Sequence, residues 1–227
     1  MTAVELISER TMADNWPAIQ AAAGKSLLVK VDGQNEPARF AQDRAARVVR
    51  CIDRLAPVVN PRVERVDLVR IAALYACVAQ CIAGPTQIPD ESAYDDAAEM
   101  LADQLKDLLP ADDLDGAIAI LKHHRKRVPP SNEAKLLADA LTMEEFGLIG
   151  LWNQARAFHS AGKSVEQLIK LFKAQQDYGY WEARLRDGFH FDASREAARQ
   201  RLGQMKGLYE HLQREHLCED IGGMGIY

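Results

Sequence analysis

Ser131-Asn132-Glu133-Ala134-Lys135-Leu136-Leu137-Ala138-Asp139-Ala140, continued by Leu141-Thr142-Met143-Glu144-Glu145-Phe146-Gly147, is the stretch on which the fold assignment turns. Pro129-Pro130 separates it from what precedes, and Ser131 followed by Glu133-Ala134 marks a helix start. The segment sets Glu-Ala-Lys before two apolar residues, places a single carboxylate at Asp139, and closes on an acidic pair, a phenylalanine and a glycine.

Helical periodicity extends outward from this stretch in both directions. Upstream, residues 37–57 carry Phe40, Ala41, Ala45, Val48, Val49, Ile52 and Leu55 on one face, with Pro57 and Pro61 as the stop. Residues 62–83 are apolar on nearly all sides, which predicts a central buried helix that Gly84-Pro85 ends. Helices are predicted over 91–109 and over 113–126, the second capped by Asp112 or Asp113. Downstream come 132–140, 142–160, 164–176 with Ser164 and Gln167 as a capping box, and 192–216. Residues 4–23 are polar and contain Pro17, which should break or kink a helix there. Leu27–Val31 has strand composition, but with no clear partner strand it is expected to be an extended entry segment.

The 227 residues can bury a sizeable core. At 48% apolar and 27% charged, the composition is that of an ordinary globular protein. A net charge of −5 provides no basic face for a phosphate backbone, so nucleic-acid binding is disfavoured. Cys51, Cys77, Cys81 and Cys218 lack secretory pairing, and the N-terminus lacks a signal pattern. A cytoplasmic protein with reduced thiols is expected. No apolar run of membrane-spanning length is apparent, so no membrane role is expected.

The segment around Asp139 resembles the last metal-binding motif of the HD superfamily of metal-dependent phosphohydrolases. Four further stretches resemble that family's pattern in the same order. Arg44-Ala45-Ala46-Arg47-Val48 is similar to the first conserved helix, with Arg44 where the family places its first metal-ligand histidine. Leu68–Cys77 is similar to the helix bearing the adjacent His-Asp pair, with Ala76 and Cys77 at those two places. Glu91–Leu101 resembles the following helix, and Ile118–His124 resembles the segment that ends in paired histidines beside the metal. The resemblance covers residues 37–160, and 191–215 resembles the C-terminal helix. It implies an all-α, compact multi-helix HD-domain-like bundle with a pocket between the motif helices. The expected organisation is an N-terminal extension over 1–35, the helical domain over 36–218 and a tail over 219–227.

The family's chemistry needs a divalent ion to polarise a phosphoryl oxygen and generate hydroxide. Hard cations need several oxygen or imidazole donors aimed at one point. A permanently charged guanidinium at Arg44 repels a cation, and Ala76 offers no donor. Only Asp139 remains of the four ligand positions that the resemblance implies. The expectation is therefore a non-catalytic relative whose standard metal centre is lost and for which no metal is favoured. Its vestigial pocket would hold Arg44, Cys77 and Asp139. A small phosphorylated or nucleotide-like ligand, or a protein partner, would meet Arg44, His123, His124, Lys135 and Asp139. Arg44 and Asp139 could face each other as a charge-assisted pair, or Arg44 could point to solvent while Asp139 caps a helix.

Two alternatives stay open. One is a phosphohydrolase with a rearranged site in which Cys77, His123 or His124, and Asp139 hold zinc, manganese or iron. The other is a structural protein-interaction module. His123-His124 lies among Lys122, Arg125, Lys126 and Arg127, which could meet a phosphate; a solvated helix end is the plainer expectation. Tyr178, Tyr180, Trp181, Phe189 and Phe191 are expected to pack in a core rather than form a lid or a partner surface. The sequence leaves the oligomeric state unknown.

Overall fold

The computed structural model describes residues 12–31, 34–84 and 87–221. The described residues form two compact units that divide between Ala140 and Leu141. The fold class is all-α, with one short hairpin among the described residues.

The first unit opens with α1 (Met12–Ser26), then a hairpin of β1 (Leu28–Val31) and β2 (Gln34–Pro37). Next come α2 (Arg39–Leu55), α3 (Val66–Ala83), α4 (Glu91–Leu105), α5 (Ala111–His123) and α6 (Asn132–Thr142); the boundary between the units falls within α6. Helix α3 is the hub, packed by α1, α2, α4 and α5. Every residue from Leu68 to Ala79 except Arg70 is buried, and each large aliphatic side chain removed from water there contributes on the order of 2 kcal/mol. By length and composition alone α3 could cross a membrane; in the fold its faces are taken up by neighbouring helices. Helix α2 presents Ala41, Ala45, Val48, Ile52 and Leu55 to the core, a spacing of three to four that follows the helical turn.

Polar contacts fix the helices of this unit relative to one another. The Glu133 carboxylate on α6 accepts from the backbone N–H groups of Glu64 and Arg65 at 3.3 and 3.4 Å, satisfying donors at the start of α3. The Tyr75 hydroxyl donates to Gln104 at 2.8 Å, and Gln104 donates on to the Ser26 hydroxyl at 2.7 Å, linking α3, α4 and α1.

The second unit begins with a 3₁₀ turn at Met143–Glu145. It continues with α7 (Gly147–Ser160), α8 (Val165–Asp177), α9 (Tyr180–Asp187) and α10 (Asp192–His216). Ser164 and Gln167 form the expected capping box. Of the aromatic stretch, Trp181, Phe189 and Phe191 are in the core as expected. Tyr178 and Tyr180 are exposed because they fall at the helix junction, outside the inward face of α9. Phe146 meets Trp181 edge-on at 5.5 Å, and Phe172 stacks on Tyr209 at 3.5 Å.

Four expectations need correction. Leu28–Val31 is a strand, because Gln34–Pro37 pairs with it in antiparallel register, Leu28 opposite Pro37 and Val31 opposite Gln34. The partner is polar and non-alternating, so it carried no strand signal. Of the break or kink expected at Pro17 the break does not occur: helix α1 runs through Pro17, losing one internal hydrogen bond without ending. Helix α5 begins after Pro110, earlier than an aspartate cap would place it, so Asp112 and Asp113 lie inside its first turn, where their charges favour the dipole. Finally, α9 occupies residues that were expected to be a connection.

Candidate functional site

An open cavity of about 620 Å³ lies on the first unit, between the start of α4 and the end of α5. Asp90, Glu91, Tyr94 and Asp95 form one wall; Lys122, His123, Arg125 and Lys126 form the other. Asp90 caps α4, accepting from the Ala93 N–H at 2.9 Å, and this fixes the first wall. The second wall exists because α5 ends in cations, as its dipole favours.

Tyr94 organises the floor. Its ring meets His124 edge-on at 4.9 Å, and the Arg125 guanidinium lies over it at 5.1 Å from the centroid. Burial raises the Tyr94 hydroxyl pKa above its ordinary value, while the nearby Arg44 and Arg125 charges pull the other way. His124 is buried at 5% exposure, and its Nδ1–H donates to the Leu121 carbonyl at 2.6 Å. Burial pushes its pKa down to about 4, so the imidazole is neutral at pH 7. The expectation of a solvated histidine pair thus fails for His124: it turns into the core while His123 stays half-buried on the cavity wall.

Charges in the cavity balance in number but are segregated: Asp90, Glu91 and Asp95 stand on one wall, Lys122, Arg125 and Lys126 on the other. Lys122 is paired with Asp95 at 2.8 Å, and Asp90 is engaged as a cap. Beyond that pair the basic wall presents the Arg125 guanidinium, lying on Tyr94, and the Lys126 ammonium, with the His123 imidazole beside them. In a chain of net charge −5 this wall gathers cations in one place.

The remaining sequence candidates divide. Arg44 on α2 donates to Gln80 Oε1 on α3 at 3.0 Å. It is close enough to Cys81 and Tyr94 for its charge to be felt at both. Cys77 is fully buried on α3, and its sulfur influences Cys81 and Tyr94. Burial, with Cys77 adding to it, pushes the Cys81 thiol up to about 11 and keeps it protonated. The charges of Arg44 and Cys77 are thus both felt at Tyr94 and at Cys81. Asp139 on α6 is fully buried and engaged, and Lys135 is half-buried with its ammonium 3.5 Å from Asn132 Oδ1. Neither lines the cavity.

Tyr94 is the residue that sequence reasoning missed. It stood in the motif over 91–101, but only packing reveals its contacts with His124 and Arg125. Among the described residues no three of His, Cys, Asp or Glu converge on a point that could hold a cation.

No family model and no curated protein matches the chain. Among solved structures it is similar to the crystal structure of Bacillus subtilis YpgQ in complex with ADP, at 18% identity and a TM-score of 0.64, covering 91% of this chain and 97% of that one. A second crystal structure of Bacillus subtilis YpgQ matches with the same identity, TM-score and coverage, and its selenomethionine form has a TM-score of 0.63 at 18% identity over 91% and 96% of the two chains. At this identity the likeness establishes a shared fold and nothing of shared chemistry.

Proposed function

We propose that this chain is an HD-fold relative that binds a small phosphorylated, nucleotide-like ligand without the family's metal centre. The observation that carries this reading is the basic wall of the α4–α5 cavity, where Arg125 and Lys126 stand together beside His123 and apart from the Lys122–Asp95 pair. Arg125 offers a planar fork suited to phosphate oxygens, and Tyr94 beneath it limits the rotamers it must give up on binding. Lys126 and His123 supply further N–H donors. A cavity of about 620 Å³ has room for a nucleotide-sized molecule. The ADP in the YpgQ crystal is consistent with a fold that can present such a pocket. The free thiols suit a cytoplasmic setting, which belongs to the same proposal.

Titration calorimetry with ADP, AMP and inorganic phosphate in the presence of a chelator tests it. ADP should bind, and Arg125→Ala should weaken it about tenfold, the worth of a charge-assisted hydrogen bond. Tyr94→Ala should lose affinity through the released guanidinium, whereas Tyr94→Phe should retain it. Absence of ADP binding at millimolar concentration sinks the reading. Metal analysis of protein purified without chelator addresses the rearranged-site alternative: stoichiometric zinc, manganese or iron that Asp139→Ala removes would replace the present proposal with that one.

A further inference from the structure

Arg44 stands where the resemblance places a metal ligand, so its present role is an open question that its contacts address. Its guanidinium donates to the side-chain oxygen of Gln80, one turn from the end of α3. The amide nitrogen of the same Gln80 donates to two main-chain carbonyls beyond the helix, Gly84 and Gln87, both at 2.7 Å. Both ends of one glutamine amide are therefore used: Arg44 grips the oxygen, and the nitrogen grips the chain that leaves α3. Three residues after Gln87 the chain reaches Asp90, which caps α4 and lines the cavity. Three residues span at most about 11 Å, so anchoring Gln87 restricts where the acidic wall can sit.

The arrangement is directional. A glutamine amide can flip between two orientations, and only one offers nitrogen to both carbonyls. Arg44, which can only donate, selects that orientation because it requires the oxygen. Gly84, with φ of +103°, lets the chain turn back so that its carbonyl meets the amide. Gln80 is half-buried, so its hydrogen bonds are partly shielded from competing water.

We propose that Arg44 is a positioning residue: through Gln80 it fixes the carbonyls of Gly84 and Gln87, and so sets the place of the Asp90–Tyr94 wall of the ligand cavity. This rests on the proposed ligand reading for its effect on affinity, but not for the clamp itself.

The test uses the full chain with Arg44→Met, Gln80→Met and the double variant, alongside Gln80→Glu, which keeps an acceptor for Arg44 and removes the amide donors. Hydrogen exchange of the ligand-free protein reads the clamp directly. All four variants should accelerate exchange at the amides of Gln87, Ala93 and Tyr94, which bond to the Gly84 carbonyl, the Asp90 carboxylate and the Asp90 carbonyl, with melting temperatures close to the parent. Calorimetry then reads the consequence. Arg44→Met and Gln80→Met should each weaken ADP and AMP by the same factor, about three- to tenfold, and the double variant should be no worse than either single one. Unchanged exchange in Gln80→Met and Gln80→Glu overturns the clamp. Arg44→Met weakening ADP far more than AMP while Gln80→Met leaves both alone overturns the positioning role in favour of direct phosphate contact. If the parent binds neither nucleotide, the ligand reading fails while the exchange data still decide the clamp.

Discussion

His124 shows how one residue's surroundings change what its chemistry can do. The ordinary imidazole titrates near pH 6.5, and here burial lowers that to about 4. Because the folded value lies below the unfolded one, the unfolded chain takes up a proton first as pH falls. The stability contributed by His124 is therefore complete above about pH 6.5 and is lost progressively between there and about pH 4, by up to about 3 kcal/mol. Urea unfolding at pH 7, 5.5 and 4.5 should show this decline in the parent and a shallower one in His124→Asn, which keeps a donor for the Leu121 carbonyl but cannot titrate. Equal slopes in the two proteins would remove the argument. At Arg44, Ala76 and Cys77 the chemistry was legible from the sequence, since a guanidinium, a methyl and a thiol are what they are in any fold. That His124 would be buried and His123 not was illegible: the two are adjacent, equally polar, and separated only by the direction in which α5 ends.

At the scale of elements, the glycine that closes the decisive stretch has a local cause. Gly147 opens α7 with φ of +76°, a conformation that costs a side-chain-bearing residue roughly 1–2 kcal/mol, and Arg201 would crowd an added Cβ at 3.1 Å. Gly150, one turn on, is under a harder constraint. A Cβ there would sit 2.0 Å from the Glu145 carbonyl oxygen and 2.4 Å from its carbon, both backbone atoms that cannot swing away. Gly150→Ala should therefore lower unfolding stability by about 2 kcal/mol or more, since the 3₁₀ turn must shift against α7. Gly24→Ala, with nothing within 4 Å, should be neutral or slightly stabilising by comparison. Thermal melts of the pair decide it, and equal melting temperatures would contradict the packing account. Helices α2, α8 and α10 matched their periodic patterns because an amphipathic repeat records which face is buried. The β1–β2 hairpin and α9 did not, because three polar residues with a proline, and eight mixed residues, carry too little period to register.

For the molecule as a whole, the sign of the net charge and the sign of the cavity's basic wall are opposed. A chain at −5 repels an anion at long range, while Arg125 and Lys126 attract it at short range. Added salt screens both, but the attraction acts at contact distance and is the larger of the two. ADP affinity should therefore fall by about threefold or more between 50 and 500 mM salt, measured by calorimetry; affinity that rises with salt would mean that the cationic wall is not where the ligand sits. Composition alone argued against nucleic acid and a basic face, while the run from Lys122 to Arg127 already marked a basic cluster; that an acidic wall, Asp90 to Asp95, would face it was not legible, because the two are distant in sequence. By itself the sequence determined that the chain is helical, that α3 is buried, and that the positions resembling HD ligands carry an arginine, an alanine and a thiol. These follow from periodicity and residue identity, which are local properties of the covalent chain. Only the tertiary structure decided that Tyr94 carries Arg125 and touches His124, that Arg44 reaches Gln80, and that Lys135 and Asp139 are not part of the cavity's lining. Those facts depend on how helices separated by dozens of residues pack and rotate against one another, and no repeat of three or four residues encodes that.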